Sequence, residues 1–403
     1  AMLSGLTESP SNLAVGATWN PSYARSVGSI TGEELTALGV NLLIGPSLDV
    51  LETPPPLATS NLSSRVFGGN AYWVGQMGQA YTQGVHEGSD NRVAVIAKHF
   101  PGSGDSDRAI ESEIPTIRKS FEQLQQVELA PFIAVTEGAI TNTTTVDGLL
   151  TTHIRYQGFQ GSIRATTAPV SFDPQALLNL LNLPPLNEWR SSGGLIVSDA
   201  LGVGAVERFY DDTGQEFPHR RVARDAFLAG NDLLYLGDFA LGQAPYTTQL
   251  ANVQDTILWF QELYSTDPVF QQRVNEAVLR ILQLKLRLYE NDFSAENVLI
   301  AEEQIPAVVN QNEGQIVELS RAALTLLSPT SSELAERLGS PPATGEQIVI
   351  FTDVQSARQC PTCSATPLMA VNELERRILE SYGPQASGQV SESQISSFSF
   401  AEL

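Results

Sequence analysis

Five short apolar runs begin near residues 40, 92, 148, 194 and 231, and helical sequence separates each from the next. The runs are Val40–Gly45, Arg92–Ala97, Gly148–Thr152, Gly194–Ser198 and Asp232–Gly237. They are rich in Val, Ile and Leu and lack the polar alternation of a strand with one wet face, so they read as strands buried on both sides. Helical patterns occupy Pro21–Leu38 before the first run, and Ala71–Gly84, Ile117–Glu137 and Pro174–Trp189 between later ones. The long segment after the fifth carries Val274, Ala277, Val278, Ile281, Leu284 and Leu288 on one stripe, as a helix packed on a sheet should. Such alternation predicts βαβ units on a parallel sheet. Barrels and doubly wound sheets share it, so periodicity leaves the choice between them open. Either architecture puts its chemistry at the carboxyl ends of the strands.

The residues just past those ends are therefore the candidates. The first run leads into Pro46-Ser47-Leu48-Asp49-Val50, where Asp49 reads more readily as a buried carboxylate capping a loop or pairing with an arginine than as a substrate ligand. Arg65 follows a proline-rich loop and is either half of a structural ion pair or a binding cation. The second run continues into Lys98-His99-Phe100-Pro101-Gly102-Ser103-Gly104-Asp105-Ser106-Asp107, then Arg108, Ala109, Ile110 and Glu111. A cation, an imidazole and several carboxylates on a backbone bent by Pro101, Gly102 and Gly104 exceed what chain reversal requires. The third run ends at His153, a residue type often found hydrogen-bonded in a core. The fourth ends at Asp199, which either caps the next helix or presents a carboxylate for reaction.

The string Lys98-His99-Phe100-Pro101-Gly102 resembles the signature of family 3 glycoside hydrolases, the family of β-glucosidases and β-N-acetylhexosaminidases. Gly-Pro-x-Leu-Asp-Val at 45–50 and Gly-Leu-Ile-Val-Ser-Asp at 194–199 are similar to further family segments, and the resemblance covers roughly residues 10 to 290. It implies a TIM-type (β/α) barrel in which Asp199 is the nucleophile and Arg65, Lys98, His99 and His153 bind substrate. Retention requires a proton donor with about 5 Å between the two carboxyl groups. Hexosaminidase members supply it from an Asp-Ser-His triplet, on which an ungapped count places Ala109-Ile110-Glu111. Glu111 is then the replacement acid, or a solvated loop carboxylate beside Glu113. Other departures are Ala200, where hexosaminidases have a second aspartate, and the absence of two strands that family members place earlier. The expectation is a barrel domain over 1–295 lacking its first strands, a linker and crossover segment over 296–345, and a partial second α/β domain over 346–403, all part of a longer chain.

Composition narrows the partners. With 45 acidic and 23 basic residues the formal charge is -22, which repels nucleic acid and anionic lipid but not a neutral carbohydrate. No apolar run is long enough to span a membrane. The two cysteines, Cys360 and Cys363, read as a loop thiol pair or local disulfide, and four scattered histidines offer no zinc set, so neither metal nor cofactor is expected. The compartment stays open, with an extracytoplasmic setting the expectation. Three functions follow: a retaining β-N-acetylhexosaminidase, a β-glucosidase-type enzyme with its acid/base in a second domain, or a catalytically impaired glycan-binding barrel.

Overall fold

A computed structural model describes residues 5–53, 62–104, 106, 108, 113–292, 294–300, 305–337, 345–357, 364–367 and 369–402. Glu111, Cys360 and Cys363 lie outside the described residues. The chain divides into two compact units, one spanning Thr7–Leu324 and the other built mainly from Thr325–Leu403.

The larger unit carries strands β1 (Leu42–Ser47), β2 (Ala94–Phe100), β3 (Thr116–Ser120), β4 (Gly148–Thr151), β5 (Arg155–Tyr156) and β6 (Leu195–Ser198). Four of them form one parallel sheet in the spatial order β1-β2-β4-β6. The fifth apolar run does not become a regular strand. It joins the edge of β6 through a parallel bridge between Val197 and Leu233, with Ser198 N–H donating to the Leu233 carbonyl at 2.9 Å. Each crossover thus steps the same way across the sheet, whereas a doubly wound sheet reverses direction at a switch point. The winding is that of a barrel. Among the described residues no strand links β1 to the segment at Leu233.

Side-chain parity shows both faces of this sheet dry. Val95, Ala97, Leu149 and Ile196 pack outward against the surrounding helices, while Ile96, Leu150 and Val197 cluster on the opposite face. At the amino ends of the strands Ala94 and Leu195 meet Leu284, Leu288 and Tyr289 from the end of the long helix Pro268–Leu288. This is why the runs show no alternation in sequence.

The helices α1 (Asn12–Ala17), α2 (Pro21–Ala37) and α3 (Ala71–Gly88) start where side-chain acceptors invite them. Asn20 accepts from the Ser22 N–H at 3.1 Å with Pro21 at the first helical position, and Asn70 accepts from Trp73 at 3.2 Å. Helices α2 and α3 cross backbone on backbone: a Cβ at Gly84 would lie 2.0 Å from the Arg25 carbonyl oxygen.

Two sequence expectations need correction. The segment 117–137 is not one helix. Thr116 and Ile117 enter strand β3, paired in parallel with β5, and the capping box of Ser120 and Gln123 starts a helix over Phe121–Gln126. A separate helix, Ala130–Thr136, begins with Pro131. The stretch 174–189 likewise splits at Pro184-Pro185 into Pro174–Leu181 and Leu186–Ser191. In the smaller unit, Ile348–Thr352 pairs in parallel with Ile395–Ser399, in a serine-rich segment without a legible period. Val349 and Phe351 of this strand are exposed.

Buried Asp232 is a point where several charges of the larger unit are paired. Asp232 is buried and accepts from Arg190 and from the Ile196 N–H (3.0 Å), with Arg273 at 3.1 Å and Arg280 at 3.5 Å. Removing one partner from such a cluster leaves desolvated like charges, a change that costs about 3–5 kcal/mol. Asp232→Ala is therefore expected to lower the urea midpoint of the unit by a corresponding amount at constant m-value; a shift under about 1 kcal/mol contradicts the assignment of Asp232 as the counter-charge.

Candidate active site

Strand β2 runs three residues further than its apolar sequence suggests, so Lys98, His99 and Phe100 belong to the strand and the turn begins at Pro101. Phe100 is fully buried against Phe132 with ring centroids 5.4 Å apart, which fixes the strand end from the helix side. The loop then folds back over the end of β1, where a Cβ on Gly104 would fall 1.9 Å from the Val50 carbonyl oxygen. Only glycine allows that approach.

Asp49 ties the two strand ends together. Its Oδ1 accepts from the Ser103 N–H (2.7 Å) and hydroxyl (2.8 Å), and its Oδ2 from Ser47 Oγ–H (2.7 Å) and His99 Nδ1 (2.7 Å). An ionised carboxylate only accepts, so His99 carries a proton on Nδ1. Burial pushes the Asp49 carboxyl up, but the His99 charge and the hydrogen bonds from His99, Ser47 and Ser103 outweigh it and hold the group well below the usual carboxylate range. Of the two readings open from sequence, the loop-capping carboxylate is the one observed, with histidine rather than arginine as partner.

Asp199 stands at the carboxyl end of β6, its N–H donating to the Thr151 carbonyl at 3.0 Å. Oδ1 accepts the Ala200 N–H at 2.8 Å, and among the described residues Oδ2 accepts no hydrogen bond. Capping is not its role, because the next helix, Gly204–Tyr210, starts from Val203 without a side-chain bond. Lys98 feels both Asp199 and Asp49 electrostatically. Burial pushes its ammonium down, the Arg65 guanidinium pushes the same way, and the two aspartates pull against them; the net shift is downward. Arg65, Lys98, Asp49 and Asp199 therefore share one electrostatic neighbourhood, and among the described residues neither Lys98 Nζ nor the Arg65 guanidinium makes a hydrogen bond.

His153 is placed differently. Its Nε2 donates to the Ala200 carbonyl at 3.0 Å, its Nδ1 accepts from the Ser171 hydroxyl at 2.7 Å, and its ring stacks on Phe172 at 5.4 Å. Both nitrogens are committed, which leaves no polar atom for a ligand. The residue instead holds the backbone beside Asp199. Ser171, its partner, carries no sequence signal that marks it. Glu111 falls outside the described residues, and its neighbour Arg108 pairs with Glu113 at 2.6 Å. Among the described residues no three histidine, cysteine or carboxylate side chains converge as a metal-binding group, and no helix is long and apolar enough to cross a membrane.

An α/β barrel-type domain thus carries, at its strand ends, one carboxylate with a single hydrogen bond among the described residues, in the electrostatic neighbourhood of the Lys98 ammonium. Residues 1–284 match the model of the glycosyl hydrolase family 3 N terminal domain, and the chain belongs to that family. It is 22% identical over 287 residues to beta-hexosaminidase A of Pseudoalteromonas piscicida, covering 70% of this chain and 44% of that protein. It is 26% identical over 330 residues to a beta-xylosidase of Formosa agariphila, covering 79% of this chain and 39% of that one. The chain therefore spans less than half the length of these relatives. A solved family 3 beta-N-acetylglucosaminidase from Paenibacillus sp. str. FPU-7 superposes with a TM-score of 0.63 at 25% identity, over 87% of this chain and 57% of that one.

Two histidines report the electrostatics directly. His153 is buried, and that burial lowers its pKa against the pull of Asp199 and the Ala200 hydrogen bond. His86 is opposed by burial too, but both its nitrogens donate, to Asp147 (2.9 Å) and to the Thr143 carbonyl (2.8 Å), and its pKa is raised. The signs differ: His153 contributes stability above its unfolded pKa of about 6.5 that is lost as pH falls through its folded value, and His86 contributes stability below about 6.5 that is lost as pH rises through its folded value. A proton-detected titration is expected to show one imidazole titrating below 6.5, removed by His153→Gln, and one above it, removed by His86→Gln. The reverse order contradicts the assignment.

Proposed function

We propose that the protein hydrolyses terminal β-glycosidic bonds with retention, most simply those of β-linked N-acetylhexosamines, through a glycosyl-enzyme on Asp199. The observation that supports this reading is the Oδ2 of Asp199, which accepts no hydrogen bond among the described residues. The buried aspartates Asp49, at the same strand ends, and Asp147 and Asp232, at the amino ends, each accept three or more hydrogen bonds on their two oxygens, and a fully bonded carboxylate is a poor nucleophile. In the first step an Asp199 oxygen forms a bond to the anomeric carbon as the bond to the leaving oxygen breaks; in the second, water displaces the ester and restores configuration. Lys98, Arg65 and His99 bind hydroxyl groups of the sugar. His153 positions the Asp199–Ala200 backbone. Glu111 supplies the proton to the leaving oxygen and later takes one from water. The sugar is taken from the hexosaminidase and N-acetylglucosaminidase names of the relatives, and comparison of aryl β-N-acetylglucosaminide with aryl β-glucoside separates it from the glucosidase-type alternative.

Asp199→Asn is nearly isosteric, so it is expected to keep the fold and reduce turnover by about 10⁴-fold or more. Turnover close to that of the parent chain removes Asp199 from the mechanism. Glu111→Gln is expected to slow substrates with poor leaving groups severely and activated aryl glycosides far less, because the latter need little protonation. An equal effect on both classes removes Glu111 as the proton donor.

A further inference from the structure

Beside the proposed sugar site lies a second compartment of about 690 Å³. Its walls come from the same strand-end loops that carry Lys98, His153 and Asp199: Arg108 from the loop after β2, Arg155 in β5 and Phe172 behind His153, and Arg208 and Phe209 from the helix after Asp199. The ring of Phe172, in the cavity wall, stacks on His153 at 5.4 Å and lies 6.4 Å from Phe209.

On a chain of net charge -22, the described residues lining this cavity include four arginines, Arg221 being the fourth, and three carboxylates. Glu113 is paired with Arg108 at 2.6 Å. Asp225 is shared between Arg224 (2.8 Å), Arg221 (3.5 Å) and the Tyr210 hydroxyl (3.1 Å). Asp212, the third, makes no ion pair with the arginines among the described residues. Among the described residues Arg155 is held by backbone carbonyls, Thr167 at 2.6 Å and Ala165 at 2.8 Å, with its guanidinium over the Phe209 ring at 5.8 Å. Burial lowers the Arg155 pKa and the neighbouring Arg108 charge lowers it further. Arg208, exposed on the same wall, makes no hydrogen bond or ion pair among the described residues. Guanidiniums held by neutral acceptors beside aromatic faces bind a planar anion attached to an apolar or saccharide ring.

We propose that this compartment receives the leaving-group half of the substrate and that this half bears a carboxylate, Arg208 and Arg155 being its partners. The proposal rests on the glycosidase reading above and adds the chemical class of the aglycone. Arg155 is also a structural tie for the 165–167 turn, so Arg208 is the position to test.

The probes are the β-N-acetylglucosaminides of 4-(2-carboxyethyl)phenol and of its primary amide, whose phenol oxygens are insulated alike from the charge. Calorimetry measures both with the Asp199→Asn protein, and wild-type turnover is followed separately. The acid is expected to bind about tenfold or more tightly than the amide, the scale of one charge-assisted hydrogen bond, with the preference weakening as salt rises. Adding Arg208→Gln is expected to abolish that preference and Arg208→Lys to retain part of it. Equal affinity for acid and amide, binding of neither, or a preference that survives Arg208→Gln overturns the proposal. Preferential binding of the acid without wild-type turnover sustains the compartment and sinks the glycosidase reading; turnover of both probes without preference does the reverse.

Discussion

The Asp49 carboxylate is the tie on which the site depends. It lies fully buried at the end of β1 and accepts four hydrogen bonds, two from the loop after β2 and one from the strand residue His99. A buried carboxylate without such partners would be prohibitively costly, and with them it dictates a single placement of the Ser103 backbone and a single tautomer of His99. The loop residues that follow are therefore delivered against Val50, where glycine at 104 lets backbone meet backbone. Lys98, one residue before His99, acquires its place near Arg65 and Asp199 from the same tie.

Around that fixed corner the molecule distributes its carboxylates unequally. Asp147 is bonded to His86, Arg287 and the Val95 N–H, and Asp232 to a set of arginines. These groups join strands to helices and are spent in doing so. Asp199 receives one bond, from its own neighbour's N–H, and keeps an oxygen for other use. The His153 contact to the Ala200 carbonyl holds the backbone without occupying the side chain. Rigidity and availability are thus separated between adjacent residues, which is what the role proposed for Asp199 requires.

Much of this was legible in the sequence. The runs at 92, 148 and 194 are buried on both faces and the run at 40 only in part, and a run of the former kind is readable without knowing its neighbours. Asp199 and Lys98 were marked by standing where such runs stop. The reading failed where a decision belonged to tertiary partners. Ile117–Glu137 has helical spacing throughout, yet β5 supplies a pairing edge that takes Thr116–Ser120 into a strand. The run at 232 has strand composition but only one bridge to β6. His153 stood in the right place for a ligand, and only Ser171, eighteen residues away in sequence, shows that its ring is occupied. No local pattern could have announced that contact.

The central claim is that a covalent bond forms on Asp199. Treating the protein with the 5-fluoro glycosyl fluoride of N-acetylglucosamine, and in parallel with that of glucose, traps a slow glycosyl-enzyme if one exists. Trypsin then releases Ser191–Arg208, in which Asp199 and Glu207 are the sole side-chain carboxylates. The account predicts one added glycosyl group on this peptide, located by fragmentation at Asp199. A protein that turns over substrate yet carries the label on Glu207 or on another peptide contradicts it.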